Sequence, residues 1–134
     1  MTSLHAVPHG IEYLSIRKTE QLNRLSAIVA DLFKKSGFQE ITPPLVDYAS
    51  TFNLAQRGGL GTNFEFRDGS GEYLSLRSDL TVQTLKAALT GRTGIALTDA
   101  TRLFYVQRIL KDCSPGSGQL REILQAGAEW IGEH

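Results

Sequence analysis

Apolar side chains recur with a helical period through the first quarter of the chain. Leu22, Leu25, Ile28, Val29, Leu32 and Phe33 follow one another at spacings of three, three, one, three and one. That is one stripe of a helix running from about Ile16 to Ser36. Lys34 and Lys35 suit its last turn, and Gly37 ends it. The stripe predicts core scaffolding. Further on the period changes to two. Phe64 and Phe66 alternate with polar partners, as do Leu74 and Leu76, and Asp68-Gly69-Ser70-Gly71 lies between them. This pattern predicts a β-hairpin over Asn63–Arg67 and Glu72–Arg77. A second helix, VQTLKAAL, follows Ser78 and Asp79, either of which serves as its N-cap, and stops at Gly91. Arg92 to Ala100 is a mixed connector. Arg102–Leu110 then reads as a strand, Lys111–Gln119 as a polar turn-rich loop, and Arg121–Ile131 as a returning strand. In that last strand Leu124, Ala126, Ala128 and Trp130 share one face, and Gln125, Gly127 and Glu129 the other.

Three stretches fit neither period. Residues 1–15 form an N-terminal arm, irregular over Met1–Gly10 because of Pro8 and Gly10, with His5 and His9 expected to be exposed. Phe38–Tyr48 is extended but holds Pro43 and Pro44, which cannot donate ladder hydrogen bonds. Such a strand belongs at a covered sheet edge or at a subunit interface, and the chemistry alone leaves both open. Thr51–Thr62 contains AQRGGLGT and reads as a mobile loop. It lacks the G-x-x-x-x-G-K-[ST] spacing of a phosphate loop.

Composition narrows the function classes. With 134 residues the chain is one domain or most of one. Fourteen basic and 14 acidic residues cancel to a net charge of +0, which leaves no electrostatic footprint for nucleic acid or an anionic membrane. The single cysteine, Cys113, makes neither an internal disulfide nor a metal cluster, so a reducing, cytoplasmic location is expected. The opening residues lack the cationic and apolar regions of a signal peptide, and no run is long enough to span a membrane. His5 and His9 lack a converging third ligand, so no metal is expected.

The face holding Gln125, Gly127 and Glu129 carries the chemistry of interest. An amide and a carboxylate stand on either side of a residue without a side chain, so a small ligand has room against bare backbone, its ammonium near Glu129. The alternative is a solvated face on which Gly127 marks a bulge. Asp79 has a capping role, and with Thr81 it has a second possible one, turned back toward the same face. Two carboxylates converging there select a cationic amine over an anion.

Taken together these segments resemble class II aminoacyl-tRNA synthetases of the histidyl type. GFQEITPPLVDY is similar to the first motif of that family, with Pro44 at the proline that packs on the dimer axis. LSLRSDLTVQ resembles the segment that contacts the amino acid, and RLFYVQRIL through QAGAE resembles the second motif. The resemblance implies an α+β fold: an antiparallel class II sheet flanked by helices, here a partial catalytic-core domain over residues 1–134, truncated after the second motif, with a sheet edge left for a second chain to cover. It implies histidine contacts from Asp79, Thr81, Gln125 and Glu129. The nucleotide half departs from the pattern. Leu110 stands where the motif has phenylalanine, Lys111 where it has the arginine that clamps the α-phosphate, Cys113 where it has glutamate, and Ser114 at a following arginine. A lysine is a point charge without the planar bidentate fork.

That selective loss, with the PPLVDY and RSDLTVQ wording, resembles the branch formed by regulatory subunits of ATP phosphoribosyltransferase in histidine biosynthesis. The resemblance implies a chain with no catalytic residues and no cofactor. It further implies histidine as an allosteric effector, a separate catalytic phosphoribosyltransferase subunit as partner, and a homodimer through Pro43 and Pro44. Two alternatives stay open: a piece of a histidyl-tRNA synthetase that activates histidine with ATP, and a dimerisation module with no ligand.

Overall fold

The structure, a computed structural model, describes residues 6–53, 63–94 and 100–132. The predicted first helix is present as α1, Ile16–Lys35. Ser15 opens it, its hydroxyl accepting from the Lys18 amide at 3.3 Å. Gly37, at φ +81°, closes it. The Phe38 amide reaches back to the Phe33 carbonyl and the Gly37 amide to that of Lys34, the paired bonds that finish a helix when a glycine turns left-handed. One expectation needs correction. No residue of α1 is fully buried, and Leu25, Ile28 and Leu32 are more than half exposed. Phe33 turns inward, stacking on Phe104 at 5.2 Å, and the Lys34 ammonium lies 5.9 Å from the centre of the same ring. The stripe splits: Leu22, Val29 and Phe33 are half-buried, while Leu25, Ile28 and Leu32 stay open.

After α1 come β1 (Gln39–Glu40), β2 (Val46–Tyr48) and a short α2 (Ala49–Asn53). The hairpin is β3 (Glu65–Arg67) and β4 (Tyr73–Leu76), paired Phe66 to Leu74. Its turn is built on Asp68, whose Oδ1 accepts from the amides of Ser70 and Glu72 at 2.9 and 3.0 Å. Then follow α3 (Leu80–Leu89), β5 (Thr101–Leu110) and β6 (Glu122–Ile131).

Among the described residues the strands form two three-stranded sheets, β1-β5-β6 and β2-β4-β3. The long pair β5–β6 and the whole second sheet are antiparallel, as expected, while β1 joins β5 in parallel. The proline pair does not sit within a strand, contrary to the reading of Phe38–Tyr48 as one extended run. It falls between β1 and β2, where the chain leaves the first sheet for the second. Pro43 is buried and Pro44 exposed. Both carbonyls accept side-chain donors, Arg77 Nη1 at 2.8 Å and Gln83 Nε2 at 3.0 Å.

Two further expectations change. Thr51–Asn53 ends α2 and is not loop, and the rest of that glycine-rich segment, 54–62, lies outside the described residues. The arm is not free over residues 9 and 10. The Arg121 amide donates to the Gly10 carbonyl at 2.7 Å, and His9 is half-buried with Nε2 3.2 Å from the Ser114 carbonyl. A Cβ on Gly10 would meet Arg121 Cγ and the Gln119 carbonyl, each at 2.9 Å. His5 lies outside the described residues, as does the 95–99 part of the connector before β5.

The core gathers under α3. Leu80, Tyr105 and Ile109 are 0–3% exposed and pack with Ile41. Among the described residues no helix is long and apolar enough to cross a membrane.

Candidate functional site

The site is built on the β5–β6 register. Tyr105 pairs with Gly127, Leu103 with Glu129 and Gln107 with Gln125, so these six side-chain positions share the face that α3 covers. The ladder runs without interruption from Thr101–Ile131 to Leu110–Glu122. Gly127 is therefore not a bulge. Nor does it leave bare backbone for a ligand. A Cβ there would lie 2.5 Å from the Tyr105 hydroxyl and 2.7 Å from its Cζ. The glycine is required because the tyrosine ring lies across it.

Tyr105 is the residue that sequence reasoning missed, and it links the predicted ones. Its hydroxyl donates to Glu129 Oε1 at 3.1 Å and stands 3.0 Å from Thr81 Oγ1. Asp79 is the N-cap of α3, its Oδ1 accepting from the Thr81 amide at 2.9 Å. Gln125 Oε1 accepts from the Leu80 amide at 3.3 Å, serving a second open donor of the same helix end. Asp79, Thr81, Gln125 and Glu129 are thus brought to one place, with Tyr105 at its centre. Burial, opposed by the Thr81 hydrogen bond and reinforced by the charges of Glu129 and Asp79, pushes the Tyr105 hydroxyl up to about 12. It is a neutral donor across the physiological range, and the two carboxylates give the site a negative character suited to a cation.

Lys111 and Cys113 lie past the end of β5, in the loop. The Lys111 amide donates to the Arg121 carbonyl at 2.8 Å, and the Cys113 thiol lies 3.5 Å from the Gln119 carbonyl. Arg121 ties the loop together. It pairs with Asp112 and lays its guanidinium 5.1 Å from the centre of the Phe64 ring. The loop is held by its own side chains, with a lysine and a thiol where the family resemblance expects an arginine and a glutamate.

Comparison with known proteins agrees with this architecture. An ATP phosphoribosyltransferase regulatory subunit of Leptospira interrogans is 33% identical over 128 residues, covering 94% of this chain and 36% of that protein. One from Nitrosococcus oceani is 29% identical over 140 residues, covering 98% and 33%. The chain spans about a third of the length of the curated relatives it matches. Among solved structures, an ATP phosphoribosyltransferase regulatory subunit/histidyl-tRNA synthetase from Bacillus halodurans C superposes with a TM-score of 0.82 at 18% identity, over all of this chain and 34% of that one. A histidine–tRNA ligase subunit from Alicyclobacillus acidocaldarius gives 0.75 at 21% identity, over 100% and 38%. The fold is accordingly the α+β class II synthetase type. The family model for histidyl-tRNA synthetase matches residues 10–134, and with nearly the whole sequence inside that match the chain belongs to the histidyl-tRNA synthetase family.

Proposed function

We propose that this chain is a partial class II core domain of an ATP phosphoribosyltransferase regulatory subunit, and that it binds histidine without activating it. One observation carries the reading. The four residues matched to amino-acid recognition converge around Tyr105, whereas the loop matched to nucleotide recognition carries Lys111 and Cys113. The histidine ammonium or imidazolium faces Glu129 and Asp79, and the Gln125 amide nitrogen supplies a donor. No covalent step is needed. Histidine acts by favouring one state of an assembly with a separate catalytic subunit. A second copy pairs through the first motif, where Pro44 stands exposed beside Leu45 and Val46.

Calorimetric titration with histidine tests this. Glu129→Gln keeps the shape and removes the charge, so affinity is expected to fall roughly 10- to 100-fold, the loss of one charge-assisted contact. Histidine-dependent exchange of pyrophosphate into ATP stays at background. Exchange above background overturns the non-catalytic reading. Absence of histidine binding by the wild type supports a second reading, a ligand-free module. That reading draws on the way Asp79, Gln125 and Tyr105 already satisfy partners within the fold.

A further inference from the structure

Arg77 is buried, at 7% exposure, and carries a charge. Its Nε donates to the Arg108 carbonyl at 2.6 Å, Nη1 to the Pro43 carbonyl at 2.8 Å and Nη2 to Gln107 Oε1 at 3.4 Å. All three acceptors are neutral. A guanidinium has five N–H groups, so two remain after these three bonds. Among the described residues no carboxylate pairs with it. Buried cations are ordinarily paired, because removal from water is otherwise uncompensated. Burial indeed holds this guanidinium below the usual arginine range.

The charge borders a cavity. A space of about 370 Å³ opens between the first half of α1 and the middle of β5, with Arg77, Arg108, Asn23 and Ser26 on its walls and Leu22 and Leu124 as apolar surface. Among the described residues no acidic one lines it. Glu122 engages Arg108 at 3.2 Å, and Ser26 turns its hydroxyl to the Leu22 carbonyl at 2.8 Å. Arg108 and Leu124 lie on the opposite face of the β5–β6 pair from Gln125 and Glu129, and of the cavity's β5 and β6 wall residues Gln107 alone belongs to the face of the histidine site proposed above.

We propose that this cavity binds a phosphate group, as free orthophosphate or as the phosphate of a small monoester. Two guanidiniums beside the Asn23 amide give a tetrahedral oxyanion donors from several directions, and Arg77 supplies a charge that has no counterion among the described residues. The volume exceeds that of the ion and leaves room for a short organic group.

Thermal unfolding of the full chain in orthophosphate, against sodium chloride of equal ionic strength, reads the site directly. At about 20 mM, orthophosphate is expected to raise the midpoint by roughly 3 °C over chloride. Asn23→Asp, at an exposed position on the cavity mouth, and Ser26→Asp each bring a carboxylate to the wall. Either one is expected to abolish the phosphate response while raising the midpoint in chloride, since it gives Arg77 a counterion. Glycerol 3-phosphate separates the two sources of the ligand. A shift as large as that of orthophosphate assigns a monoester, and a smaller one assigns the free ion. If orthophosphate does no more than chloride, or Asn23→Asp keeps the wild-type response, the site is overturned.

Discussion

Along the second half of β6 the two faces invert the usual rule. On the side under α3, β6 presents Gln125, Gly127 and Glu129, polar or bare, and all three are half-buried. On the α1 side it presents Leu124, half-buried beside Leu22 and Ser26, and then Ala126, Ala128 and Trp130, all three exposed. The difference lies in the covering element. On one face α3 sits close, anchored by Leu80 at 0% exposure against Tyr105 and Ile109. On the other, α1 contributes ring stacking at its C-terminal end and leaves Trp130 with Arg102, whose guanidinium lies 4.2 Å from the ring centre. A polar face can be an inside face when its polar atoms find partners, and apolar positions stay open where the covering helix does not reach them.

The strongest way to break this contrast is to crowd the inner face. Gly127→Ala places a Cβ inside contact distance of a buried ring, and a loss of about 2–3 kcal/mol in urea unfolding is expected. A loss below about 0.5 kcal/mol means that the ring is free to move and the face is not tightly packed. A milder change removes one atom. Tyr105→Phe keeps the ring and takes the hydroxyl from Glu129 and Thr81, for a cost of about 1–1.5 kcal/mol.

The same variant carries a pH signature. Folding raises the Tyr105 value from the ordinary 10 to about 12, so the folded state holds a proton that the unfolded state gives up. The resulting stability is fully present below pH 10 and is lost as pH rises toward about 12. The wild-type protein should show this decline relative to Tyr105→Phe, and parallel curves for the two proteins would remove Tyr105 from the network. The smallest effect belongs to the outer face. Trp130→Ala gives up a half-exposed contact with Arg102 and is expected to cost under about 1 kcal/mol.

Much of the fold was legible from periodicity. The long helix, the Asp68 hairpin, the capped α3 and the β5–β6 pair all stand within a residue or two of where spacing puts them. What spacing did not give was the partner of each face. The α1 stripe shows a helix that wants cover, not how much it receives, so Leu25, Ile28 and Leu32 read as core and are open. The site shows the same limit. Asp79, Thr81, Gln125 and Glu129 were found by type and motif, while Tyr105 looked like one more strand aromatic. Its importance depends on register. Once Tyr105 is set opposite Gly127, a large ring facing a bare position is the signal, but the loop of 111–121 allows more than one register until the strands are paired. Arg77 was equally hidden, since a sequence does not show that a cation lacks an acid.

The proline pair at the sheet crossover has a consequence for the shape of the whole unit. Lacking amide hydrogens, Pro43 and Pro44 present only carbonyls there, and the donors that meet them, Arg77 and Gln83, are side chains from after β4 and from α3. The two sheets are therefore joined here by side-chain grips on the proline carbonyls together with the backbone bond from the Leu110 amide to the Arg77 carbonyl at 2.9 Å, rather than by a continuous ladder.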